Sequence, residues 1–361
     1  MLAERTWVGL DVHARSVVGC AIDDEAGEIR TQRVSPKTEA IVEWVLAQPG
    51  PVAVTYEAGP TGFGLARALA AAGVRCEVVA PSKLERPPGD KVKTDRRDAE
   101  RLARLLRIGE LPAVRVPTEA EEAARDLVRA REDARGDLMR ARHRLSKLLL
   151  RQGLVWEQTA WTAEHEQWLR GHRFARRGVQ LAYDEAFDAV LNVHARRTRL
   201  DTEIIAMAGE PLFAGPVGRL ECLRGVSTLT ALGLCVEVAD WHRFTGSTIG
   251  SYLGLVPAEY SSGTHRAQGS ITKTGNGHAR RLLVEAAWHH RRPYRPHRAR
   301  GRRADGQPAA VRARAENGNR RLHQRWTRLD ARRKRPTVSV VAVARELAGW
   351  CWSLAVLDSP T

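Results

Sequence analysis

The sequence contains no run approaching the roughly 18 to 20 consecutive apolar residues that a membrane span requires, so no spanning segment is expected. Its start, MLAERTWVGLDVH, carries an acid at Glu4 and a strand-like apolar pattern, and does not read as a signal peptide. Cysteine is scarce and dispersed. Cys20, Cys76, Cys222, Cys235 and Cys351 stand singly, with neither the close pairs of a zinc site nor the even framework of a disulfide-stapled secreted domain, and a reduced cytoplasmic setting is expected. Acids are the third shortage. Against 58 Lys and Arg there are 42 Asp and Glu, a formal charge of +16, and the excess is concentrated rather than evenly spread. That balance favours a polyanionic partner, nucleic acid before anionic membrane.

What is present, over 361 residues with 43% hydrophobic content, is enough for two or three domains with cores of their own. Apolar stretches at 7–10 and 17–22, separated by DVHARS, predict a hairpin, and a third strand is expected at 29–34 after the turn DDEAGE. Helical spacing over 38–47, a strand at 52–56, a helix at 62–72, a strand at 74–79 and an amphipathic helix at 97–108 follow. Neighbouring strands first and alternating units afterwards imply an α/β domain with a mixed sheet and flanking helices, assigned to 1–112.

Residues 119–151 predict one long helix, in which Leu127, Ala134, Ala141 and Leu148 recur every seven residues, with Leu138 and Leu145 between them. With a second helix near 181–207 this suggests a coiled-coil arm over 113–210, or an ordinary intramolecular bundle. The remainder, 211–361, is expected to be mainly helical. LRGVSTLTALGLCVEV reads as helix, glycine turn, helix, a form that can present backbone amides to a phosphate. A Gly/Ser/Thr-rich stretch, a helix at 279–290, a basic segment at 291–335 expected to lie on nucleic acid or be disordered without it, and an apolar helix at 338–357 complete the chain.

Four acids stand out. Asp11 follows the apolar run WVGL and Glu57 ends VAVTYE, both at strand ends where a buried charge is costly unless paired or metal-bound. Asp95 and Asp98, in KTDRRDAERLARLL, share one face of a helix start; capping by Asp95 and a dipole interaction of Asp98 are the structural alternative. Converging on one point in an α/β domain, the four would repel unless cations neutralised them. Hard oxygen ligands and a phosphodiester suit two Mg2+ ions roughly 4 Å apart, or Mn2+.

The pieces GLDVHARSVVGCAID, YEAGPTG, DKVKTDRRDAERLARLL, LRGVSTLTALGL and YLGLVPAEYSSGTHRAQGSITKTGNGHARRLL, in this order and spanning nearly the whole chain, resemble the "IS one-ten" insertion-sequence transposases, relatives of the Piv invertases and RuvC resolvases. The resemblance implies a RuvC-like, ribonuclease-H-like domain in which Asp11, Glu57, Asp95 and Asp98 form a metal-binding DEDD tetrad. It also implies a coiled-coil arm and a C-terminal transposase domain, acting as a homodimer or homotetramer on element ends and target DNA. The family's Y-x-S-G motif places a nucleophilic serine at Ser262, beside Ser261, which would form a covalent phosphoserine with the cut strand. A serine hydroxyl needs a base or metal to act, so Ser262 is expected to approach the carboxylate cluster, its own or that of another subunit. The resemblance further implies a structured bridge RNA as guide; nucleic-acid contacts are expected from Arg96, Arg97, Lys273, Arg280, Arg281, Arg291 and Arg292, in a bacterial cytoplasmic, nucleoid-associated location.

Two other enzyme classes are weighed. An actin-like ATPase begins with a similar strand, acid and hairpin but needs a glycine-rich loop after Asp11, where VHARS has none. A plain junction resolvase, cutting with metal-activated water, would not need Ser262. A non-catalytic scaffold would tolerate loss of the acids.

Overall fold

The computed structural model describes residues 4–81, 84, 94–262, 265–295 and 305–357, without the side chains of 261, 265 and 266. The chain forms two compact units, Met1–Thr118 and Glu119–Thr361. Lys91, Val92 and Lys93 of the DKVK block, Ser261's side chain and the 296–303 part of the Arg/Pro-rich stretch lie outside the described residues.

The first unit is a mixed sheet of β1 (Thr6–Val12), β2 (Val17–Asp23), β3 (Ile29–Val34), β4 (Val52–Glu57), β5 (Arg75–Val79) and β6 (Ala113–Val114), in the order β3-β2-β1-β4-β5-β6. β1 pairs antiparallel with β2 and parallel with β4, and β4 pairs parallel with β5. The central strands are buried on both faces, which is why WVGL and VAVTY read as almost continuous apolar runs; β3, at the edge, is polar and mostly exposed. This is the α/β architecture expected of a RuvC-like domain.

The two faces are covered differently. Val8, Leu10, Val54 and Tyr56 point to one, against Ile41 and Val45 of α1 (Thr38–Leu46) and Leu65 and Leu69 of α2 (Gly64–Ala71). Val18, Cys20 and Ile22 point to the other, against Ala99 and Ala103 of α3 (Asp95–Arg107). α3 comes unusually close. A Cβ on Gly9 would stand 2.5 Å from the Ala103 nitrogen and overlap the Ala99 carbonyl oxygen, so only glycine at this position of β1 lets the helix lie there.

The strand expected at 7–10 runs on to Val12, because Val12 still pairs with Val17 and Asp11 with Val18. Asp11 is therefore held within a ladder rather than at a turn.

In the second unit α4 (Glu119–Arg151) and α6 (Arg177–Met207) pack along one another. Ala134, Leu138, Ala141, Leu145 and Leu148 are buried, as their spacing predicts, whereas Leu127 is only partly covered and belongs to the core of the following helices. α5 (Ala163–Arg170) closes the far end of the pair, where Leu169 and Tyr183 join its core. α7 (Pro211–Leu220) and α8 (Thr228–Val238) form the expected helix, glycine turn, helix, with Gly225 at φ 85° and pressed so closely on the Ala286 carbonyl that a Cβ would clash. α9 (Thr248–Tyr252), the hairpin of β7 (Pro257–Ser262) and β8 (His265–Ile271), and α10 (Gly277–Ala287) follow.

One expectation changes here. Much of the basic segment is ordered: α11 (Ala309–Ala331) buries Val311, Ala315, Leu322 and Trp326, since its apolar residues recur on one face and the arginines occupy the other. α12 (Pro336–Ala355), expected as an apolar helix at 338–357, is long and apolar enough by composition to cross a membrane. Val340, Val343, Ala344, Leu347, Cys351 and Leu354 are nonetheless buried in the unit's own core.

Candidate functional site

Side chains alternate along a strand, so residues 9 and 11 of β1 share the face on which α3 lies. Leu10 is in register with Tyr56, which makes Asp11 and Glu57 the next positions along two neighbouring parallel strands, at their carboxyl ends. On the same face Thr55 precedes Glu57 by two, directly opposite Gly9. α3 runs antiparallel to β1: Ala99 and Ala103 lie over Gly9, while Arg107 reaches Asp24 beside the strand's start at 2.7 Å. Its amino end, with Asp95 and Asp98, is thereby brought to Asp11.

The helix start is fixed by Thr94, whose hydroxyl accepts from the Arg97 amide at 3.3 Å. The capping role considered for Asp95 belongs to Thr94, and Asp95 is left for the cluster. Ligand atoms of Asp11, His13 and Asp95 all lie within 4.8 Å of one another, and His13 Nε2 stands 3.3 Å from Asp11 Oδ1. Asp11 Oδ2 is buried with no hydrogen-bond partner. Burial raises the Asp11 carboxyl above its ordinary value; His13 opposes this, and the charges of Asp95 and Asp98 add to it. A desolvated carboxylate with an orphan oxygen, close enough to two more acids to feel their charge, is a place a hard divalent cation fits, supplying the charge and the bonds that these side chains lack. Asp11, Asp95 and Asp98 are thus electrostatically coupled, and Glu57 sits on the adjoining strand end. His13 was missed, though its position two residues after Asp11, just past the end of β1, was a signal.

Ser262 lies in the second unit as the last residue of β7, exposed and paired across the hairpin with His265. The hairpin falls in the Gly/Ser/Thr-rich stretch, where two strand-compatible runs flank Gly263-Thr264 in the sequence. Lys273 is exposed in a left-handed conformation at φ 55°, and Arg291, Arg292, Arg96 and Arg97 are exposed too. Arg280 and Arg281 are engaged within the unit. Arg280 donates to the carbonyls of Leu253 and Thr274 at 2.9 and 3.0 Å, and Arg281 pairs with Glu285 at 2.6 Å and with Glu132.

The sequence reading also passed over Glu237. Its side chain is 1% exposed, yet it accepts from both Arg129 nitrogens at 3.0 and 3.1 Å and from Asn276 at 2.6 Å, and lies 3.1 Å from His278 Nδ1. Burial alone would raise its carboxyl; the bonds from His278, Arg129 and Asn276 outweigh that and hold it at about 2. Asn276 in turn caps α10 by accepting from the Ala279 amide. An acid in the apolar stretch LCVEV thus ties α4, α8 and the start of α10 together.

Residues 8–153 match the family model of the IS110-type DEDD transposases, and residues 217–301 match that of the IS116/IS110/IS902 transposases. These matches place the chain among the DEDD transposases, enzymes of DNA cleavage and transfer for which divalent-metal use is indicated. More narrowly, it belongs to the IS110 family of insertion-sequence transposases. It is 38% identical to the putative transposase y4qE of Sinorhizobium fredii over 97% of this chain and 88% of that one. It is 32% identical to the transposase of insertion sequence element IS1533 from Leptospira borgpetersenii over 92% and 99%. The putative transposase y4rJ of Sinorhizobium fredii is 28% identical over 71% of each chain.

Proposed function

We propose that the protein cuts and rejoins DNA strands at the ends and target of its insertion sequence, with Asp11, Glu57, Asp95 and Asp98 as its metal-binding tetrad and Ser262 as its nucleophile. The observation that carries the first half is the coupling of Asp11 to Asp95 and Asp98 around an unpartnered buried oxygen. Two Mg2+ ions, or Mn2+, would supply there the Lewis acidity that polarises a phosphodiester and stabilises attacking and leaving oxygens. The chain's own part is positional. Gly9 lets α3 approach, Thr94 fixes where the helix begins, and the β1–β4 register sets Glu57 beside Asp11.

Ser262 attacks phosphorus through its hydroxyl oxygen, loses its proton to a base, and expels the strand's 3′ or 5′ oxygen; rejoining reverses the step. Its exposure at a strand end supports this role. Lys273, Arg291, Arg292, Arg96 and Arg97 hold backbone phosphates, and the glycine turn before α8 offers a further phosphate seat. Arg280 and Arg281, originally grouped with them, serve the fold first. The paired helices α4 and α6 form a coiled-coil arm that joins copies into a dimer or tetramer, and a bridge RNA guides target choice; the family resemblance supports both.

The test is recombination between element ends and target, with flanking RNA and Mg2+ supplied and protein–DNA adducts trapped. Asp11→Asn should abolish exchange, and Ser262→Ala should abolish both exchange and adduct. Continued cutting by Ser262→Ala would instead support a resolvase that uses metal-activated water.

A further inference from the structure

Beyond residue 301, α11 and α12 form with the loop before α9 a cleft of about 390 Å³. Its walls are cationic and aromatic: Arg314, Arg325 and Arg345, with Trp350 and Trp352. One carboxylate, Glu346, shares the lining, but it is already met by Arg321 at 3.0 Å and Arg325 at 3.7 Å. Arg345 has no carboxylate partner among the described residues and stands exposed, its stem packed within 3.3 Å of where a Cβ on Gly250 would be. Arg314 lies 4.7 Å from the centre of the Trp350 ring and is steadied by a bond to Ser353 at 3.1 Å. The Trp352 indole nitrogen is shielded from water and without a hydrogen-bond partner.

We propose that this cleft binds one unpaired nucleotide of a nucleic-acid strand. A cavity of this size fits a single nucleotide and is too small for a duplex. Guanidinium groups beside indole rings match a phosphate joined to a flat base, the pairing by which proteins hold single strands without reading sequence. An ordinary solvated basic face would not gather two tryptophans among its arginines. The proposal rests on the nucleic-acid reading above but concerns a different place in the molecule from the carboxylates and Ser262.

The experiment uses the full chain and labelled oligothymidylate, oligouridylate and a duplex, with anisotropy titrations over a range of salt. Arg345→Ala should weaken single-strand binding about tenfold and duplex binding by less than about threefold. Arg345→Ala should also lower the salt slope for single strands by about 1, with Arg345→Lys restoring it. Weakening confined to oligothymidylate or to oligouridylate supports the proposal and identifies the strand as DNA or RNA. Equal loss on duplex and single strands, or no loss in Arg345→Ala, whose exposed side chain makes misfolding a poor explanation, overturns it. If the unaltered protein binds none of the three, the nucleic-acid reading falls as well; if it binds them and the variants do too, only the cleft proposal falls.

Discussion

In the proposed role, Asp11 sets function against stability within a single residue. With its folded-state value raised, the carboxyl is most compatible with the fold when protonated, and its ionised form strains the metal-free protein as pH rises through that value. On the proposed function, Asp11→Asn should therefore stabilise the metal-free first unit while abolishing strand exchange, and should remove the rise in melting temperature expected of the unaltered protein in Mg2+. Thermal melts with and without Mg2+ check this; unchanged metal stabilisation in the variant would remove Asp11 from the site. Glu237 has the opposite sign. Its value is lowered from 4.5 to about 2, so its contribution, on the order of 3 kcal/mol, is complete above about pH 4.5 and drains away as pH falls towards 2. Glu237→Gln should flatten that acid limb in a pH series of denaturant titrations.

At the scale of elements, the contact between α3 and β1 decides whether the acids meet. Gly9→Ala would force a methyl group into backbone atoms of Ala99 and Ala103 that no side-chain rotation can clear. A loss of about 1–3 kcal/mol is expected, with a fall in exchange rate larger than the loss of folded protein explains, because Asp95 and Asp98 move with the helix. Rates normalised to folded fraction by circular dichroism test it. Thr94→Ala, which removes the cap, should cost about 1 kcal/mol and fray the same turn.

For the molecule as a whole, two units with separate cores predict two transitions in calorimetry. Mg2+ should raise the one belonging to the carboxylate unit and leave the other in place, whereas acid should lower the transition of the Glu237 unit. A single transition moved by both would show that the units unfold together. The +16 charge adds a third expectation, a steep fall of DNA affinity with salt, measurable as the slope of log K against log salt concentration.

The sequence by itself determined the class of the first unit, because strand and helix periodicities are local, and it marked Asp11, Glu57, Asp95 and Asp98, because acids beside buried runs have few inexpensive explanations. It also determined the pattern of the α4–α6 seam, apart from Leu127, whose neighbours come from helices much later in the chain. Where charges alternate with apolar residues over a long period, as in α11, composition concealed a packed helix. Only the tertiary structure decided that Thr94 rather than Asp95 caps α3, that His13 faces Asp11, that Glu237 is a buried hub, and that Arg280 and Arg281 are committed within their unit. Each of these depends on which residues distant in sequence become neighbours, which no local spacing specifies. The acid cluster that motivated the metal reading is thus a tertiary product of Gly9, a strand register and a helix cap.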